Sequence, residues 1–305
     1  MSYILVAVGL ASLVLGGELL VRGAVALAAR AGVSPLLIGL TLVGFGTSTP
    51  ELAASVTAAL DGSPGIALGN VVGSNIANIL LIVGLAALLR PLVLSPAAGL
   101  RDGVVMLLAG VGCLVVVLGG TVGRADGFVL VACLAGYVAL IYRQERRAKP
   151  DDASPGASSP VAIACFAGGL VLVLLGANLL VSGAIDLARA FGVSEIIVGL
   201  TLVALGTSLP ELATSLVATV RRQPDVALGN VLGSNIFNVL GILGITAIIT
   251  PLEVPARIAT VDVWVMLAGS AALLGLLWFA ARVGRGAGAA MLVAYATYVA
   301  AMALA

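Results

Sequence analysis

Gly46-Thr47-Ser48-Thr49-Pro50-Glu51 and, further on, Gly69-Asn70-Val71-Val72-Gly73-Ser74-Asn75-Ile76-Ala77-Asn78 decide how this chain is read, because both stretches recur. Gly206-Thr207-Ser208-Leu209-Pro210-Glu211 and Gly229-Asn230-Val231-Leu232-Gly233-Ser234-Asn235-Ile236-Phe237-Asn238 repeat them at an offset of 160 residues. Each copy sets a glutamate, hydroxyls and amides inside a long apolar run. A carboxylate is costly in a bilayer core, so an acid there points to a site. Two such acids related by an internal repeat point to a cation site between the halves of a transporter.

The surroundings agree with a membrane setting. Of 305 residues, 61% are hydrophobic and only 10% charged. Apolar runs recur at about the 20-residue length that crosses a bilayer as a helix. The expected fold is an all-α polytopic membrane protein with ten transmembrane helices. They fall near 3–28, 35–60, 66–89, 102–120, 125–142, 161–188, 195–220, 226–249, 260–281 and 288–304. The first run lacks a basic start and is read as a membrane helix, not a cleaved signal. A charged and Pro/Ser/Gly/Ala-rich linker, 143–160, separates a first five-helix repeat (1–142) from a second (161–305). Five is odd, so the second repeat enters from the opposite side and the repeats are inverted.

Basic residues orient the chain. With the linker inside, the inner face holds Arg22, Arg30, Arg90, Arg101, Arg143, Arg146, Arg147, Lys149, Arg221, Arg222, Arg282 and Arg285. The outer face holds only Arg124, Arg189 and Arg257. Both termini are therefore expected outside a plasma (inner) membrane. A net charge of +1 without a basic cluster gives no reason to expect nucleic acid, and no protein partner is evident. Cys113, Cys133 and Cys165 have no metal-ligand spacing and are expected to be small buried hydrophobes.

Pro50 lacks an N–H and opens the helix ladder near Gly46 and Thr47, and Pro210 does the same in the second copy. Freed carbonyls at membrane depth are tolerated where they line a cavity or bind something. Glu51 and Glu211 fall midway along their spans. Ser74 and Asn78 share a helix face, as do Ser234 and Asn238. These are hard oxygen donors of the kind Ca²⁺ takes six to eight of. Zn²⁺ or Cu⁺ would call for His or Cys, and the chain has no histidine. No Lys or Arg is placed to neutralise the two acids, so Ca²⁺, Na⁺ or protons must do so. The alternative is a pair of protonated acids tying helices together. Asn70 and Asn230 are read as satisfying free backbone groups, and Asn75 and Asn235 are left open between bracing and binding. Glu18 with Arg22, and Asp186 with Arg189, are read as local ion pairs.

At these motifs the chain resembles the cation/Ca²⁺ exchanger superfamily, and within it the prokaryotic Na⁺/Ca²⁺ exchangers. That family carries Gly-Thr-Ser-x-Pro-Glu/Asp and Gly-Ser-Asn-x-x-Asn/Asp in two alpha repeats, and both motifs stand here twice. The resemblance implies ten helices in two inverted fives. It implies a central Ca²⁺ site of Glu51, Glu211 and the backbone carbonyls of Thr47 and Thr207, completed by Asn78 and Asn238. It implies flanking Na⁺ sites using Ser48, Ser208, Ser74, Ser234, the Thr hydroxyls and the carbonyls of Gly44 and Ala204. It also implies that the first and sixth helices slide across a rigid remainder. Some archaeal members carry Asp where this chain has Asn238. The expected function is secondary-active Na⁺/Ca²⁺ antiport, without a cofactor and not as an enzyme. The alternative is H⁺-coupled exchange of Ca²⁺ or another divalent cation on the same scaffold.

Overall fold

Proline and small polar residues set where the helices begin. Ser34 caps one of them by accepting a bond from the Leu37 amide at 3.2 Å, and Pro35 follows it at the first helical position. Pro64 and Pro224 open two others. The computed structural model describes residues 2–93, 96–147, 159–190 and 204–303. In chain order the helices are α1 (Ser2–Ala31), α2 (Pro35–Thr47), α3 (Thr49–Leu60), α4 (Pro64–Leu89), α5 (Pro96–Leu118) and α6 (Arg124–Arg147). Then come α7 (Ser159–Ala190), α8 (Ala204–Thr207), α9 (Leu209–Val220), α10 (Pro224–Ile249), α11 (Ile258–Ala280) and α12 (Arg285–Ala303).

Seven of these helices are long and apolar enough to cross a bilayer, and eight if the bent pair α2–α3 is one span. Large apolar side chains point outward along them, among them Val14, Leu15, Leu108, Val115 and Phe128. An apolar exterior of this kind suits lipid. The chain is a multi-pass membrane protein. The other two expected spans are α12 and α8–α9; residues 195–203 lie outside the described residues, as do 148–158 of the linker.

Elements recur in order in the two halves, and four two-residue strands tie the halves together. β1 (Leu92–Val93) pairs antiparallel with β4 (Arg282–Val283), and β2 (Thr121–Val122) pairs with β3 (Leu252–Glu253). Each pair thus takes one strand from each half. The turns after α3 and α9 match as well. Ser63 N–H bonds the Ala58 carbonyl at 2.8 Å and Gln223 N–H bonds the Ala218 carbonyl at 2.8 Å, closing two Schellman caps. The left-handed position is Gly62 (φ +72) in one and Arg222 (φ 60) in the other.

Lipid tails are as apolar as leucine, so burial alone does not hold membrane helices together; close backbone approach does. The antiparallel pair α1/α7 shows this. A Cβ added to Gly16 would lie 2.7 Å from the Val173 amide nitrogen, and one added to Gly169 would lie 2.3 Å from that of Leu20. Gly9 and Gly176 meet in the same way. This seam forms an apolar cluster with Leu13, Leu20, Ala24 and Val173, distinct from the main core built on α4, α5, α10 and α11.

Four described stretches depart from the α-helical period that the sequence suggests. Gly39–Val43 in α2, Ile258–Asp262 in α11, Ala77–Ile82 in α4 and Asn238–Leu243 in α10 are π-helical. Such a bulge frees a carbonyl from the ladder and re-aims the side chains around it. The last two begin at or beside Asn78 and Asn238. Of the cysteines, only Cys113 is buried; Cys133 is exposed and Cys165 half-buried, because they sit on outward faces of α6 and α7.

Candidate functional site

The α2–α3 span breaks at Ser48 (φ −83, ψ 11) and bends by 43°. Ser208 breaks the second copy with nearly the same angles (φ −88, ψ 5). A proline one residue into the next helix contributes no N–H there. Glu51 and Glu211 therefore stand in the first turns of α3 and α9, where the helix dipole favours negative charge. Both are buried. The two carboxyl groups are close enough to interact electrostatically.

Each glutamate is held by the other half. Ser48 Oγ donates to Glu211 Oε1 at 2.7 Å, and Ser208 Oγ donates to Glu51 Oε1 at 3.2 Å. Ser208 Oγ also lies 3.3 Å from Ser74 Oγ. Asn70 Nδ2 donates to the Glu51 carbonyl at 3.0 Å and to Ser55 Oγ at 2.9 Å. Asn230 Nδ2 donates to the Glu211 carbonyl at 3.2 Å and to Ser215 Oγ at 2.9 Å. The amide oxygens of these asparagines meet threonines across the halves, Thr47 Oγ1 at 3.2 Å from Asn230 and Thr207 Oγ1 at 3.4 Å from Asn70. Ser234 Oγ donates to the Gly44 carbonyl at 3.2 Å.

The expected residues thus fall into two matching hydrogen-bonded sets: Glu51 with Ser208, Ser74 and, through Asn70, Thr207, and Glu211 with Ser48 and, through Asn230, Thr47, Gly44 and Ser234. Asn78 and Asn238 bond across the halves to Asn235 and Asn75, apart from both sets. Ala204 opens α8, but its side chain is outside the described residues. Asn70 and Asn230 do satisfy backbone groups, as expected, but at the glutamates' own carbonyls and not near their own helix starts. Glu18 pairs with Arg22 as expected and also with Arg221. Asp186 accepts from Ser2 at 3.5 Å, and the Arg189 side chain lies outside the described residues.

The sequence reading passed over a second doubled pair. Asp102 on α5 pairs with Arg101 and accepts from Tyr137 at 3.0 Å. Asp262 on α11 pairs with Arg257 and accepts from Tyr298 at 3.1 Å. The 160-residue offset between Asp102 and Asp262 was the available signal. Their own arginines partner them, which separates them from the glutamates.

What the network leaves open is more telling than what it closes. Glu51 Oε2, Glu211 Oε2, Asn78 Oδ1 and Asn238 Oδ1 are buried and have no hydrogen-bond partner. An unpaired buried acceptor costs about 1–3 kcal/mol, and more if charged. Four of them, two from each half, suit an arrangement that receives a cation. Among the described residues, the ion pairs involve Glu18, Asp102 and Asp262, and not the two glutamates. Thr214 and Thr246 also leave a hydroxyl unpartnered; their counterparts are Ala54 and Ala86, and nothing in the structure explains them.

Comparison with known proteins fixes the family. The family described as "Sodium/calcium exchanger protein" matches residues 1–143 and 161–304. The chain belongs to that family. Among its relatives, the exchanger is 37% identical to the putative antiporter CaxA of Alkalimonas amylolytica, over 97% of this chain and 96% of that one. It is 32% identical to the sodium/calcium exchanger MaX1 of Methanosarcina acetivorans, over 97% of each. Among solved structures it superimposes on the sodium-calcium exchanger NCX_Mj with a TM-score of 0.88 at 32% identity, covering 98% of this chain and 97% of that one. The family comprises membrane antiporters, not enzymes, and Na⁺ and Ca²⁺ are its transported substrates.

Proposed function

We propose that this exchanger extrudes Ca²⁺ in exchange for entering Na⁺, using Glu51 and Glu211 as the charged ligands of a single midplane site. The observation that carries the reading is the set of four unpartnered oxygens on Glu51, Glu211, Asn78 and Asn238. With the second carboxylate oxygens and the Thr47 and Thr207 carbonyls, they supply the six to eight donors Ca²⁺ takes. Two carboxylates balance one Ca²⁺. Na⁺ ions at Ser48, Ser208, Ser74, Ser234 and the Gly44 and Ala204 carbonyls would balance the same charge when Ca²⁺ leaves. A site that either load neutralises can alternate between them.

Alternating access is assigned to the α1/α7 pair moving across the remaining helices. The proposed frame is ten spans in two inverted five-helix repeats, 1–142 and 161–305. The antiparallel run of α1 against α7 supports the inversion. The Arg/Lys partition supports a topology with both termini outside the plasma membrane and the 143–160 linker inside. Cysteines introduced at Gly62 and Ser154, with the native cysteines removed, test this; impermeant labelling of Ser154→Cys but not Gly62→Cys in intact cells would reverse it.

The decisive experiment is ⁴⁵Ca²⁺ uptake into Na⁺-loaded proteoliposomes, with the Na⁺ gradient and pH varied separately. Uptake is expected to follow the Na⁺ gradient at fixed pH. Uptake that follows only a proton gradient would replace Na⁺ by H⁺ as the driving ion.

A further inference from the structure

The amides of Asn78 and Asn238 each have an oxygen and a nitrogen of nearly equal size. Only the oxygen can bind a cation, so something must decide which end is left without a partner. On one side, Asn238 Nδ2 donates to Asn75 Oδ1 at 3.0 Å. Asn75 Nδ2 in turn donates to the Asn235 backbone carbonyl at 3.2 Å and lies 3.6 Å from Met266 Sδ. On the other side, Asn78 Nδ2 donates to Asn235 Oδ1 at 3.4 Å. Asn235 Nδ2 lies 3.5 Å from Met106 Sδ. All six side chains are buried.

The order of these contacts is forced from the outside inward. A backbone carbonyl and a thioether accept hydrogen bonds and cannot donate them. They therefore take the NH₂ end of Asn75 and of Asn235. That leaves the two Oδ1 atoms facing the next asparagine, which must present its own NH₂. The remaining Oδ1 atoms of Asn238 and Asn78 are then turned away, and these are the two that lack a partner. Reversing either terminal amide would set oxygen against oxygen, and reversing the chain of two would set Asn75 Oδ1 against the Asn235 carbonyl and Met266.

We infer that Met266–Asn75–Asn238 and Met106–Asn235–Asn78 are two polarity relays, in which Asn75 and Asn235 act as positioning residues that hold the Asn238 and Asn78 carbonyl oxygens toward the transported cation. The inference rests on the proposed Glu51/Glu211 site and assigns a role to four residues outside it. Each relay crosses from one half to the other, so an amide orientation in α10 is set by α4 and α11, and one in α4 by α10 and α5.

The test is the initial rate of Na⁺-driven ⁴⁵Ca²⁺ uptake in proteoliposomes, resolved into KM and kcat. Asn75→Leu keeps bulk but removes the acceptor for Asn238. It should raise the Ca²⁺ KM by about tenfold, the effect of roughly one ligand contact, with kcat changed far less. In the Asn238→Ala background the same substitution should add almost nothing, because Asn75 acts through Asn238. Asn235→Leu with Asn78→Ala forms the mirror cycle and serves if Asn75→Leu does not reach the membrane. If both substitutions do not, Met106→Leu and Met266→Leu are measured, each expected to raise KM modestly while kcat holds. An unchanged KM, or a double variant that multiplies the two single effects, overturns the relay. Glu51→Gln is run beside them: full transport by that variant would refute the site itself, whereas loss there with normal Asn75→Leu refutes only the relay.

Discussion

Gly16 meets Gly169 with no side chain between them, whereas Ser48 meets Glu211 through a directed hydrogen bond. Both contacts join the first half of the chain to the second, but they constrain it differently. The α1/α7 seam is backbone against backbone, held by close approach and without a cross-helix side-chain bond along the glycines. The centre is held by hydrogen bonds that fix distance and direction and that return at the 160-residue offset. The bonds between α1 and α7 lie at the ends of the seam, Ser2 to Asp186 and Arg30 to Ser159, so its glycine stretch is held by contact alone, while the centre is held by directed bonds. The division of labour proposed above follows from this difference: the centre keeps a binding geometry and the seam pair moves past it.

The largest expected effect breaks the centre. Glu51→Gln and Glu211→Gln each remove a ligand and one of two balancing charges, so Na⁺-driven ⁴⁵Ca²⁺ flux should fall by about 100-fold or more, equivalent to roughly 3 kcal/mol. Insertion should be unaffected, as judged by size-exclusion of the detergent-solubilised protein. Near-normal flux in either variant would contradict a two-carboxylate site.

Breaking the seam should act on rate and not on affinity. Gly169→Val places a side chain where even a Cβ lies 2.3 Å from the Leu20 amide nitrogen. The helices must separate, at a stability cost of about 1–3 kcal/mol. Turnover should fall roughly tenfold while the Ca²⁺ KM stays within about threefold, a split expected when a conformational step and not binding is hit. A KM effect larger than the kcat effect would tie the seam to the site.

Asn238→Asp sharpens the account of charge at the centre. Two carboxylates are balanced by one Ca²⁺, so the parent should show a flat pH profile near neutrality and lose flux in acid, where protons compete for the glutamates. A third acid leaves one charge that Ca²⁺ does not cancel and a proton does. The acid-inhibition midpoint of the variant should move up by roughly one pH unit. Superimposable profiles would place residue 238 beyond electrostatic reach of the glutamates.

The smallest effect lies in the turns. Arg222 holds a left-handed backbone (φ 60) where the matching turn has Gly62. Arg222→Gly should raise thermal stability by up to about 1 kcal/mol, the left-handed strain offset in part by glycine's entropy. A lower unfolding temperature would show that the arginine side chain outweighs that strain.

Much of this was readable before any coordinates. The doubled Thr-Ser-x-Pro-Glu and Ser-Asn-x-x-Asn motifs, both helix breaks and the absence of a basic partner for Glu51 and Glu211 are composition and spacing. The recurrence of Gly9, Gly16 and Gly23 as Gly169, Gly176 and Gly183 stands in the sequence but was not read as a seam, because only the structure shows which faces meet. The π-helical stretches at Ala77–Ile82 and Asn238–Leu243 were not legible, because no residue type marks an extra residue in a turn. The orientation of an amide was not legible either, since it depends on Met106 and Met266, remote in sequence and unremarkable in composition.

The strand pairs carry a consequence for how the chain is made. Leu92–Val93 is synthesised long before Arg282–Val283, and Thr121–Val122 before Leu252–Glu253. Until the ribosome has delivered the later strands, the earlier ones have no edge to join. In the same interval Ser48 has no Glu211 to donate to, and Glu51 waits for Ser208. The first half is thus inserted as an unfinished object, its most polar residues already in the bilayer and their counterparts still unmade. A nascent chain stalled at the linker therefore holds those groups without the partners that the second half supplies.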